Sequence, residues 1–435
     1  MPPSPPGTNA PRTAPLDGPR ARHGQEAQGG LEFRNAREDD LDRLVDIHSS
    51  AFPDPRSAEP RRRNFVANPL GPLDTLRVAT AGDVIVAHAF LFAFDVWFGG
   101  RAVRVGAIAS VGVAPEARGR GIGAALVADL HDQALARGAA ITLLYPFRQG
   151  FYARHGYAAV TPSRRIVTHP GAFPAAWARG GALTLRAANG LDRDAIIEAY
   201  ERAAARSTGW LSRPSALWTR HLANERRVWI AAIDPAHGEK GGKLVGYVSW
   251  SLVQSEAHAI THLVVHELVA EDDPVRRALL GAIAAQRDQV HAVEIEVDAD
   301  DPLDRALIDA DRALFGTAKV EHVLGVLAGG PMVRIADLRR AIEARGYRHD
   351  GELDVTVDGE AELHVSIHGG RATVGEACGG AGIAVDGASF AAILYGALAP
   401  RDAARLGLLR ATDDAALAHA DACLALAPYL AIDSF

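Results

Sequence analysis

The segment Val111-Gly-Val-Ala-Pro-Glu-Ala-Arg118-Gly119-Arg120-Gly121-Ile122-Gly123-Ala124 concentrates residue types that suit one chemistry. Its glycines let the backbone come close to a ligand. Their N–H groups and the start of the helix that follows converge on an anion, and Arg118 and Arg120 add positive charge. Such a site suits a pyrophosphate. The blander alternative is a glycine-rich turn that binds nothing. Its position, between a strand ending near Val113 and a strongly amphipathic helix, favours the anion site. A dinucleotide-binding turn would stand after the first strand of a parallel sheet, whereas here several antiparallel strands come first.

The elements around this turn follow from hydrophobic period. Leu31 to Arg34 predicts a short strand, and Asp39-Asp40 precede a helix with Leu41, Leu44, Val45 and His48 on one face. Leu76–Ala81 and Val84–Phe94 predict strands joined at Gly82-Asp83. Arg101–Val113 is the next strand. Ile122, Leu126, Leu130 and Ala134 then recur every fourth residue along a helix, and Ile141–Tyr145 is the strand after it. A second αβ unit begins near Leu183 and repeats this order, with strands at Val228–Ile233, Leu244–Val253, Ala259–Val265 and Ala292–Val297 and a helix over Val275–Gln289. The stretch from Pro331 predicts a helix ending at Gly346, three short strands and two helices near Gly387–Leu398 and Asp413–Ala425, an α+β pattern.

The turn Arg118-x-x-Gly121-x-Gly123 resembles the coenzyme-A loop of the GNAT superfamily of N-acyltransferases. About thirty residues on, Gly150-Phe151-Tyr152-Ala-Arg-His155-Gly156-Tyr157 resembles the segment whose tyrosine, in those enzymes, faces the coenzyme sulfur. That resemblance implies Tyr152 as the general acid. A phenol of pKa ~10 can give its proton to a departing thiolate of comparable basicity. Tyr157 reads as a residue packed under the cofactor, Tyr145 as strand core, and His155 as a surface or hydrogen-bonding histidine. Backbone N–H groups near Val111 and Val113 are expected to hold pantetheine and polarise the thioester carbonyl. The co-substrate implied is acetyl-CoA, with Arg118 to Ala124 around its pyrophosphate.

Composition narrows the alternatives. The chain has 435 residues, 48% hydrophobic and 23% charged, with a formal net charge of -7. Length predicts several domains, and nothing is basic enough for a nucleic-acid partner. Cys378 and Cys423 stand in no metal or disulfide spacing, so no metal is expected. Neither cysteine lies in the first unit, and no Ser-His-Asp or Cys-His set is evident, which favours direct transfer over an acyl-enzyme. The N-terminus lacks the apolar stretch of a signal peptide, and the longest apolar run, Val84–Phe94, is too short to span a bilayer. A cytoplasmic protein without a membrane partner is the expectation. Residues 1–30, rich in Pro, Gly and Ala, read as a disordered tail.

The middle unit has Ala270-Glu271-Asp272-Asp273-Pro274 where a second pyrophosphate loop would stand, with no glycines and three carboxylates that repel phosphate. The last stretch resembles a sterol-carrier-like fold, and the chain ends in Phe435. The order of a GNAT domain (31–180), a degenerate GNAT-like domain (181–330) and a sterol-carrier-like domain (331–435) is similar to that of the Eis (enhanced intracellular survival) family. The resemblance implies that the carboxylate of Phe435 works in the first domain's site, that Phe52, Asp54 and Phe65 line the substrate pocket, and that Asp433 supplies the acid near the terminus. It also implies a homo-hexamer and an amine acceptor of the aminoglycoside or polyamine kind. Acylation of protein lysines or N-termini is the second enzymatic reading. A non-catalytic carrier is a third, disfavoured by Arg118–Gly123, Tyr152 and Phe435.

Overall fold

The computed structural model describes residues 30–53, 58–160, 163–177, 181–237, 241–255, 260–310, 323–359, 361–377, 379–427, 429–433 and 435. The expected tail up to residue 29, Asp54 and Cys378 lie outside the described residues.

The first unit is built on β1 (Leu31–Asn35), β2 (Leu76–Ala81), β3 (Val84–Phe98), β4 (Arg101–Val113), β5 (Ile141–Leu144) and β6 (Ala158–Ala159). Strands β1 to β4 run antiparallel in chain order, and β4 pairs with β5 in parallel. The β3 sequence is apolar almost throughout, as suits a strand covered on both faces. Helices α1 (Leu41–Ala51), α2 (Ala58–Val66) and α3 (Ile122–Ala136) supply the cover. The residues that set the helical period of α3, Ile122, Leu126, Leu130 and Ala134, are all buried.

The second unit has β8 (Thr184–Ala187), α5 (Arg193–Ala204), β9 (Leu211–Ser212), which pairs with β3, α6 (Ser215–Leu222), β10 (Val228–Asp234), β11 (Lys243–Ser255), β12 (Ile260–Ala270) and β13 (Ala292–Asp298), with β12 parallel to β13 and helix α7 (Asp273–Ala284) between them in sequence. The two sheets exchange strands. Strand β7 (Ser163–Thr168) leaves the first unit and pairs antiparallel with β13, flanked outside by β14 (Val326–Ala328). Strand β15 (Met332–Ile335) returns and pairs antiparallel with β5, flanked outside by β6. Residues 163–168, expected with the first domain, thus lie in the second sheet, and residues 332–335, expected at the start of the third, complete the first. Ladder partners are set by which edge a strand reaches, and short strands such as Ser163–Thr168 and Met332–Ile335 carry no mark of that.

The third unit is a five-stranded sheet of β16 (Gly351–Val357), β17 (Ala361–His368), β18 (Arg371–Glu376), β19 (Gly382–Val385) and β20 (Leu409–Ala411), ordered β18-β17-β16-β19-β20. Its helices include Gly387–Leu394 and Asp414–Leu424. It docks on the β3–β4 turn, where Gly346 N–H donates to Phe98 O at 3.0 Å and Phe98 meets Tyr395 edge-on at 4.6 Å. A Cβ on Gly346 would lie 1.9 Å from Gly99 O, so this backbone-to-backbone contact requires glycine. First and third units share one hydrophobic core. Among the described residues no helix is long and apolar enough to cross a membrane, and no group of three or more His, Cys, Asp or Glu could hold a metal.

Candidate active site

The β4–β5 ladder runs only from Val105↔Ile141 to Ile108↔Leu144, and past those pairs the strands part. At the parting point β4 carries a bulge. Ser110 and Val111 face the single residue Ala89, and Ser110 adopts φ 53, a left-handed value uncommon outside glycine. Nothing in the sequence marks Ser110 for this role. A cavity of about 600 Å³ opens beyond it, lined by Val111, Val113, Arg118, Gly119, Gly121, Ile122, Gly123 and Ala124 together with Ser50, Phe52, Phe147 and Phe151.

Gly121 is the N-cap of α3 at φ 76 and, like Gly119 (φ 76), has a conformation that favours glycine. No side chain caps this helix. The N–H groups of its first turn therefore face the cavity without a side-chain acceptor, and the positive end of the helix dipole adds to them. The guanidinium of Arg118 donates to Val113 O and to Ser50 O, both at 3.1 Å. Its fork thus ties the loop to β4 and to the end of α1 while its charge stays beside the cavity. Arg120 is exposed and is not part of the cavity wall.

Tyr152 lies on the short helix α4 (Gln149–Ala153) and is only 2% exposed. It meets Phe151 edge-on at 4.9 Å and Phe147 at 5.8 Å, two of the rings that line the cavity, while Tyr152 itself is not in its wall. Burial pushes its phenol up to about 12, so it stays protonated across the physiological range. Tyr157 is a structural residue, its hydroxyl bonded to Thr142 at 2.8 Å and to His131 at 3.0 Å.

Phe52 also lines a second cavity, of about 780 Å³, between α1, α2 and helix α6 (Ser215–Leu222) of the second unit. Its ring lies 4.7 Å from that of His48, tilted by 32°, and it lines both cavities. Phe65, expected as a wall of the substrate pocket, is a core residue. It is 1% exposed and packs on His48, His88 and Phe90, because the α2 face that carries it turns toward the sheet.

The chain's end does reach the first unit. The ring of Phe435 sits edge-on to Phe94 of β3 at 5.4 Å and to Tyr145 at 5.2 Å. Tyr145 is therefore not strand core. It is 38% exposed and donates from its hydroxyl to Asp433 O at 2.8 Å. Asp433 is not a free acid for a cationic substrate either. Its carboxylate accepts from Arg213 Nε at 3.0 Å and from the Tyr200 hydroxyl at 3.1 Å. Phe94, Tyr145 and Arg213 come from three separate stretches of chain, and no local pattern joins them.

The second unit presents the opposite chemistry at the matching helix. The Asp272 carboxylate caps α7 by accepting from Val275 N–H, and Pro274 removes a further donor. Glu271 is occupied by Lys243 at 2.9 Å and Arg202 at 3.1 Å.

Comparison with known proteins agrees with this architecture. Family models described as acetyltransferase (GNAT) domains match residues 32–160 and 209–335, and one described as a sterol carrier protein domain matches residues 338–431. The N-acetyltransferase Eis of Mycobacterium bovis is 27% identical over 360 residues, which covers 80% of this chain and 81% of that one. Among solved structures, a GCN5-related N-acetyltransferase from Anabaena variabilis superposes with a TM-score of 0.76 at 22% identity, over 93% of this chain and 100% of its own. Eis1 from Mycobacterium abscessus superposes with a TM-score of 0.70 at 23% identity, over 93% and 100%.

Proposed function

We propose, for a chain that belongs to the Eis family of GNAT N-acetyltransferases, that the first unit transfers the acetyl group of acetyl-CoA directly to an amine of a cationic small molecule, aminoglycoside- or polyamine-like. The observation that carries the coenzyme part is the uncapped start of α3 at Gly121, open to a cavity that is also walled by Val111 at the β4 bulge and by Val113. The pyrophosphate would lie against Gly119 and residues 121–124, and the β4 amides near Val111 and Val113 would bond pantetheine and polarise the thioester carbonyl. Tyr152 protonates the departing sulfur; burial keeps its phenol protonated, and so holding the proton to be given, while making it a weaker acid.

The carboxylate of Phe435 acts as anchor and proton relay rather than as a strong base. A terminal carboxyl has pKa ~3.5 and an alkylammonium ~10, a gap worth about 9 kcal/mol. The second unit binds no acetyl-CoA in this reading, since Asp272 and Pro274 close the helix start that would hold it. We further place the enzyme in the cytoplasm as a homo-hexamer, for which light scattering giving a monomer is the contrary result.

One observation favours a different acceptor. The described wall of the 780 Å³ cavity carries Arg61, Arg63 and Arg220 and no carboxylate, which suits an amine that also bears an acidic group. Coenzyme A release measured over a panel of polyamines, aminoglycosides, amino acids and lysine peptides separates these readings. Turnover of polyamines and aminoglycosides supports the first, and turnover confined to acid-bearing amines supports the second. No release with any amine argues against catalysis in this unit.

A further inference from the structure

The second unit has kept the wedge of the first. Strands β12 and β13 pair only from His262↔Ala292 to Val264↔Glu294 and then part, as β4 and β5 do. Strand β12 also has a bulge at the parting point, since Ser249 pairs with Glu267 and Trp250 with Val265, which leaves His266 as the extra residue. In the first unit this wedge opens onto the cavity assigned to the coenzyme. In the second, a cleft of about 180 Å³ is lined by residues 265–268 of β12, residues 295–298 of β13 and Leu430, Ala431 and Ile432. The chain's own last residues are thus seated at the wedge.

They are held by specific bonds. Leu430 N–H donates to Thr208 O at 3.0 Å, and Thr208 is buried. Tyr429 lies against Gly209, where a Cβ would come 2.7 Å from its ring and where φ is +92. Asp433 meets Arg213, whose side chain is wholly buried between Asp433 and Glu267, each at 3.0 Å. The guanidinium lies over Tyr200 at 4.1 Å and Trp218 at 4.7 Å, stacking that suits arginine and not lysine. Two residues beyond Asp433, Phe435 stands between Phe94 and Tyr145 of the first unit.

We propose that the second unit is a receptor for the chain's own C-terminal peptide, and that Arg213 is a positioning residue that holds Asp433 and so fixes where Phe435 stands. The functional half of this rests on the reading that the Phe435 carboxylate works in the first site. The receptor itself does not. With its helix start closed to phosphate, the wedge is left to the peptide. The acidic loop and the arginine then belong to one device, which exchanges a nucleotide ligand for a peptide one.

The test follows the release of Phe435 from the full-length protein by a carboxypeptidase, read by mass spectrometry, in the wild type, Asp433→Asn and Arg213→Met. Asp433→Asn keeps shape and leaves Arg213 paired with Glu267. Arg213→Met leaves Glu267 with Arg227 at 3.3 Å and His221 at 3.4 Å, so that carboxylate keeps its partners, while Asp433 is left, among the described residues, with the Tyr200 hydroxyl alone. A hydrogen bond to a charged group is strong enough that release should quicken about ten- to a hundredfold in both variants. Release at the wild-type rate in Asp433→Asn, or in an Arg213→Met protein that still binds acetyl-CoA, overturns the receptor. Transfer is assayed on the same samples. A fall in kcat with KM for acetyl-CoA unchanged supports Arg213 as a positioning residue, which a general loss of folding would not reproduce. Fast release with kcat unchanged leaves the receptor standing and removes Phe435 from the chemistry.

Discussion

Replacing Gly121 by Glu tests the proposed coenzyme site where its physics is simplest. The residue caps α3 at φ 76 with no side chain bonded to the helix start. A glutamate there pays the left-handed strain, about 1–2 kcal/mol of stability, and places a carboxylate beside the expected pyrophosphate. Two unit charges about 5 Å apart repel by about 3 kcal/mol at an effective dielectric of 20 and by about 1 kcal/mol in water. At about 1.4 kcal/mol per tenfold, acetyl-CoA binding should weaken between about fourfold and two-hundredfold for each phosphate charge. Gly121→Ala carries the same strain without the charge, so it should lose comparable thermal stability while keeping most of the affinity. Isothermal titration calorimetry on both variants, with melting curves alongside, separates charge from strain. Binding by Gly121→Glu as tight as the wild type, or an equal loss in both variants, would refute the placement of the pyrophosphate at the start of α3.

Tyr152→Phe keeps the buried ring and removes only the proton, so turnover should fall by about a hundredfold or more with KM for acetyl-CoA little changed; normal steady-state turnover would remove it as the acid. Deleting Phe435 should abolish transfer while acetyl-CoA binding by calorimetry stays normal, and a C-terminal tag should do similar harm by turning the carboxylate into an amide. Acid should destabilise the fold early. Burial, then the neighbouring His48, holds His88 down to about 3, and burial chiefly holds His131 at about 3. Both take up a proton near pH 6.5 when unfolded, so the stability they contribute is complete above that pH and is lost as pH falls toward 3, at about 1.4 kcal/mol per pH unit for each group. Melting curves from pH 7 to 5 should show that slope, and His88→Leu should make it shallower by one proton.

The open helix start behind Arg118–Ala124 was legible in the sequence because its geometry is local. Glycines at 119 and 121 with left-handed φ, and an apolar four-residue period behind them, must give an open helix start after a strand wherever the chain is folded. The closed start of α7 was legible for the same reason, since Asp272 caps a helix three residues on and Pro274 lacks an N–H. Phe435 could be placed only by resemblance. Its neighbours Phe94 and Tyr145, and the anchor Arg213 of Asp433, are brought together from distant stretches by packing. The exchange of β7 and β15 between the sheets, the Ser110 bulge and the burial of Phe65 belong to the same class. Periodicity states which face of an element is apolar. Which partner covers that face, and which polar group meets which across two hundred residues, is decided by the shape left when the three units close on one another.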